Sequence, residues 1–166
     1  MKFIAIMRSR ALAAIAIAVA AASLTAGSSA ASDAKTQQLS GTWLTTITLV
    51  NPPAGIVPSF MALNTFFASG ELIASSSQAL PNTRTLAHGG WVRTGNRRFN
   101  STFTAFRFDA AGMFIGTLRV RRSLTLSADG RSLTANDVVE LLNPAGAVVA
   151  GFPATETGRR VPVTGP

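Results

Sequence analysis

From residue 42 onward, turn residues cut this chain into apolar segments of strand length, and no stretch between the cuts has the length and period of an amphipathic helix. The cuts are Asn51-Pro52-Pro53-Ala54-Gly55, Ala68-Ser69-Gly70, Gly95-Asn96, Asp109-Ala110-Ala111-Gly112, Ala128-Asp129-Gly130 and Asn143-Pro144-Ala145-Gly146. Their Gly and Asn accept positive φ and their Pro lacks a donor, so a strand stops at each. The segments between them predict strands at 42–50, 59–67, 71–77, 90–94, 97–108, 113–126 and 132–142. A last strand is expected in two pieces, 147–152 and 158–163, broken near Pro153. Residues 78–87 hold Pro81-Asn82 and read as a longer loop, and Gly116 is a candidate bend.

Links of hairpin length joining about eight strands in sequence order predict an all-β, antiparallel up-and-down barrel. A two-sheet sandwich is the rival, but it needs long crossovers, and only 51–58 and 78–87 are generous. Alternation fits half-buried strands. Leu118, Val120, Leu124 and Leu126 share one face, opposite Thr117, Arg119, Arg121, Ser123 and Thr125. Trp43, Ile47 and Leu49 likewise oppose Thr42, Thr46 and Thr48. Segment 97–108 differs, with Phe99 and Phe103 on one face and Phe106 and Phe108 on the other. It is covered on both sides, lines a cavity, or carries a bulge.

The region before the strands has another character. Lys2, Arg8 and Arg10 precede twelve consecutive apolar residues, 11–22, and then small and polar residues. This is the pattern of a secretory signal peptide cut near Ala30 or Ala31, leaving 32–38 as a flexible leader and 39–166 as a single barrel domain. The apolar run falls short of the roughly 20 residues of a membrane span, so no stable membrane insertion is expected after cleavage. The expected location is the periplasm or the extracellular space. Loss of the signal lowers the net charge from +8 to about +5. With no Cys, the domain has no disulfide and must be held by its core.

The strand train opens on Leu39-Ser40-Gly41-Thr42-Trp43, and Arg159 and Arg160 lie near the other end of the chain. This combination resembles the lipocalins and the wider calycin group. The resemblance implies that Gly41 and Trp43 belong to a structural closure at one end of the barrel, with Arg159 or Arg160 packed over the Trp ring. It also implies a lumen for a small ligand. The chain departs from the pattern: it has no Tyr, hence no Thr-Asp-Tyr motif, and no C-terminal helical period.

Residues that could carry chemistry are few. His88 is the only histidine, so a two-His metal site is excluded, and no metal or cofactor is implied. His88 precedes Gly89-Gly90-Trp91, where it could sit at a barrel rim and meet a polar ligand group. The candidate carboxylates are Glu71, Asp137, Glu140 and Glu156, since Asp109 and Asp129 suit turns. Asp137 and Glu140 face opposite sides of a strand and cannot pair there. Arg93, Arg97, Arg98, Arg107, Arg119, Arg121 and Arg122 read as solvated faces with their stems on apolar neighbours. Export argues against a nucleic-acid partner. If some of these arginines point inward, they could hold a carboxylate ligand. The expected function is binding of a small apolar ligand, with Phe60, Phe66, Phe103 and Phe106 lining the lumen and His88 near it. The alternatives are a barrel enzyme resembling allene oxide cyclase or dirigent proteins, and a filled barrel acting only through its surface. The residues favour a binder over an enzyme and leave the oligomeric state open.

Overall fold

A computed structural model describes residues 39–52, 54–78 and 83–163. The expected signal peptide and leader lie outside the described residues. The strands are β1 (Gly41–Leu49), β2 (Ser59–Phe66), β3 (Glu71–Ser76), β4 (Ala87–Gly95), β5 (Arg98–Phe108), β6 (Phe114–Leu126), β7 (Ser132–Leu142) and β8 (Val148–Arg160). They pair antiparallel in sequence order, and β8 pairs back to β1, so the sheet closes into a barrel. Closure leaves no free sheet edge, which suits a chain without cross-links.

Six strands end within one residue of the sequence reading, and β4 and β8 differ further. β4 begins at Ala87 rather than Gly90, so His88 and Gly89 lie inside a strand rather than before one. β8 is a single strand that runs through Pro153. The Pro153 carbonyl accepts from Val50 N (2.9 Å), so its ring nitrogen points to the same neighbour, just beyond the end of β1 at Leu49. The missing donor therefore falls where the β1–β8 ladder has already stopped.

Parity decides what enters the lumen. Trp43 and Thr45 of β1, Asn64 and Phe66 of β2, and Phe99, Ser101 and Ala105 of β5 are buried. So are Leu118, Val120, Arg122, Leu124 and Leu126 of β6, Leu133, Ala135 and Asp137 of β7, and Ala154 and Glu156 of β8. Gly116 bends β6 with φ of 123°, and a Cβ there would lie 1.9 Å from the Leu142 carbonyl oxygen. The registers of β5–β6 and β6–β7 run unbroken from the bend toward the closed end.

Candidate functional site

The inward side chains form three layers along the barrel axis. One end is packed solid by Trp43, Phe66, Leu72, Trp91, Phe99, Leu124, Leu126 and Leu133. Trp91 meets Phe66 and Phe99 edge-on, with centroids 6.3 and 5.6 Å apart. Trp43 Nε1 donates to the Leu39 carbonyl (2.9 Å), which draws buried Leu39 across the opening. The Arg160 guanidinium carbon lies 4.4 Å from the Trp43 ring centroid, and Arg160 donates to the Ser40 carbonyl. Gly41 makes room for it: φ is 120°, and a Cβ there would lie 2.6 Å from Arg160 Nη1. Arg159 is on the outer face and exposed.

The middle layer is a belt of buried polar side chains. Arg122 is only 4% exposed and Glu156 only 1%. Arg122 Nε donates to Ser101 Oγ (3.0 Å), and its Nη1 donates to Asn64 Oδ1 (2.9 Å) and Glu156 Oε2 (3.3 Å). Asn64 Nδ2 donates to Glu156 Oε1 (3.1 Å) and Thr45 Oγ1 (3.0 Å), and the Thr45 hydroxyl donates to the Ala62 carbonyl (3.4 Å). The guanidinium carbon of Arg122 also lies 4.8 Å from the Phe103 ring centroid and 5.4 Å from that of Phe66. Phe103 and Phe66 thus hold a cation that hydrogen bonds already orient.

Asp137 completes the belt. It faces Arg122 across the β6–β7 ladder, while Glu156 is diagonal to it across β7–β8. Burial pushes the Asp137 carboxyl up to about 7, and the charge of Glu156 and a hydrogen bond with it push the same way, against the pull of Arg122. Two buried belt atoms have no hydrogen-bond partner, Arg122 Nη2 and Asp137 Oδ1.

Above the belt the lumen opens into a cavity of about 580 Å³. Its walls include Leu49, Phe60, Phe103, Leu118, Val139, Leu141 and Phe152, and its floor includes Asn64, Arg122, Asp137 and Glu156. Space is left on one side because Ala62, Ala74 and Ala87, on three neighbouring strands, all line it. At the mouth are Ile56 and Val57 of the β1–β2 loop, together with Arg84 and Arg107. These two arginines form an isolated backbone bridge, and burial and then the charge of Arg107 lower the basicity of Arg84.

No known protein-family model matches the chain, and no curated protein does.

The residues singled out from sequence fall in different places. Phe60 and Phe103 line the cavity. Phe66 faces inward but belongs to the closed end, against Trp91. Phe106 is 54% exposed and packs edge-on to Phe114 on the outer face. His88 is exposed, one residue out of step with inward Ala87. Phe106 and His88 therefore do not reach the lumen, since each follows or precedes an inward residue in a strand of period two. Glu140 is outside as well, bonded to Arg119 (2.7 Å) and Arg121 (2.9 Å). Among the described residues, no group of three or more His, Cys, Asp or Glu could hold a metal ion. Asn64, Thr45 and Ser101, and the approach of Asp137 to Glu156, carry no motif in the sequence. Parity was their signal: each shares a face with apolar residues.

Proposed function

We propose that this protein is an exported barrel that binds a small, largely apolar ligand in its lumen. The observation that carries this reading is the cavity of about 580 Å³, apolar along its walls and sealed at one end by the Trp43 layer. Burying a ligand there removes apolar surface from water on both sides, worth roughly 25 cal/mol per Å² before the losses of association. The filled-barrel alternative describes only the closed half. The N-terminal sequence pattern supports export. The test is fluorescence titration with N-phenyl-1-naphthylamine, a neutral apolar probe. Enhancement is expected with the natural chain and a loss of at least tenfold in affinity with Ala74→Phe, which fills the lumen from its small side. A folded protein that leaves the probe dark would defeat the proposal.

One observation favours a second reading, a barrel enzyme using acid–base chemistry. A carboxyl group titrating near 7 beside a second carboxyl, at the end of an apolar lumen, is suited to proton transfer. A proton-abstraction probe such as 5-nitrobenzisoxazole tests it. The base takes the ring C–H proton, the N–O bond breaks, and a coloured cyanophenolate forms. Turnover abolished by Asp137→Asn supports catalysis; turnover no faster than in buffer removes it.

A further inference from the structure

We propose that the floor of the lumen recognises a neutral hydroxyl, or a group that likewise donates and accepts one hydrogen bond each, at the buried end of the apolar ligand. The inference rests on the lumen-binding reading and adds the chemistry of the ligand's inner end.

Three observations carry it. First, the unpartnered atoms at the floor are one donor, Arg122 Nη2, and one acceptor, Asp137 Oδ1. They belong to residues directly opposite in the β6–β7 ladder, and both residues line the cavity. Second, the donor is held in advance. Three hydrogen bonds, to Ser101, Asn64 and Glu156, occupy Arg122 Nε and Nη1, and Phe66 and Phe103 flank the guanidinium. Nη2 alone is left without a partner, so little ordering remains to be done on binding. Third, the charges exclude the obvious competitor. Arg122 is already matched by Glu156, and Asp137 stands beside both. A carboxylate reaching Nη2 would meet two acidic groups in a buried site, whereas a hydroxyl meets no net repulsion. Protonation of Asp137 does not remove the acceptor. When the proton sits on the other oxygen, in the bond with Glu156, Oδ1 is a carbonyl oxygen.

A hydroxyl oxygen can therefore accept from Arg122 while its hydrogen goes to Asp137. An ether of equal length can accept but cannot donate, and it leaves Asp137 Oδ1 unpaired. The alcohol pairs an acceptor that the ether leaves as it was, so an alcohol should outcompete the ether about tenfold.

The experiment is displacement of N-phenyl-1-naphthylamine by 1-dodecanol, its methyl ether and dodecanoate, with the natural chain, Asp137→Ala and Arg107→Ala. The expected result is displacement by dodecanol at a concentration at least tenfold below that of the ether or of dodecanoate. Asp137→Ala should erase the gap between alcohol and ether and leave the ether's own affinity little changed. Near-UV circular dichroism shows that the variant keeps its packed core. Equal displacement by alcohol and ether overturns the proposal while leaving lumen binding intact. So does a preference that survives Asp137→Ala. Strong displacement by dodecanoate, lost in Arg107→Ala, also overturns it, by placing the polar end at the mouth. Failure of the probe itself to bind defeats the lumen-binding reading instead, so the two failures are distinguishable.

Discussion

Asp137→Asn should make the barrel more stable at mildly alkaline pH and change little in acid. The Asp137 carboxyl titrates at about 7 in the folded protein against an ordinary value of 3.8. Its folded pKa is raised, so the folded state holds the proton more tightly than the unfolded chain. The stabilisation is complete below about pH 4 and drains away as pH rises through about 7. Each unit of pKa difference is worth about 1.36 kcal/mol, so the swing approaches about 4 kcal/mol as an upper bound for one carboxyl in a coupled pair. Asparagine keeps the shape and can donate to Glu156, as the protonated acid does, but it never ionises. Urea unfolding at steps from pH 4 to 9 gives the assay, read as the difference between the two proteins. Subtraction cancels the carboxylates of turns and of the outer face, such as Glu71, Asp129 and Glu140, whose lowered values act in the opposite direction on both proteins. The difference should rise toward the variant with a slope near one proton between about pH 4 and 7, then level off. A flat difference, or one that favours the natural chain as pH rises, would refute the buried, proton-holding role given to Asp137.

At the closed end, Trp43→Ala should lower unfolding stability in urea by about 3 to 5 kcal/mol, since a large buried ring is removed. Arg160→Ala should lower it by only about 0.5 to 2 kcal/mol, the range of a partly desolvated cation over a ring, and a loss as large as that of Trp43→Ala would contradict this ranking. On the outer face, Glu140→Gln should leave the urea midpoint nearly unchanged, because Arg119 and Arg121 reach it from the solvent side and the amide keeps an oxygen to accept from them.

The architecture was legible because its signals are local. Turn residues divide the chain, hairpin-length links force neighbours to pair, and about eight such strands suit closure. Pro153 misled for a physical reason: the sequence records the missing donor but not that β1 ends beside it. His88 reads as a rim residue because it follows the 78–87 loop, yet it lies inside β4, as does Gly89, where a Cβ would lie 2.0 Å from the Thr102 carbonyl oxygen. The glycine answers to close strand passage, not to a loop.

The polar belt was half legible. Arg121 and Arg122 are adjacent in a strand, so one had to point inward, and parity with Leu118, Val120 and Leu124 selects Arg122. Asp137 follows in the same way from Leu133, Ala135 and Val139. What parity cannot supply is the register across β7 and β8 that sets Glu156 beside both. That register also bears on function. A buried ion pair is seldom more stabilising than apolar residues of similar volume, so folding alone gives no reason for these groups at mid-barrel. The solid layer on one side of the belt is apolar, and so are the cavity walls on the other. On the lumen-binding reading proposed above, polar groups kept where packed core gives way to open lumen would meet the inner end of a ligand.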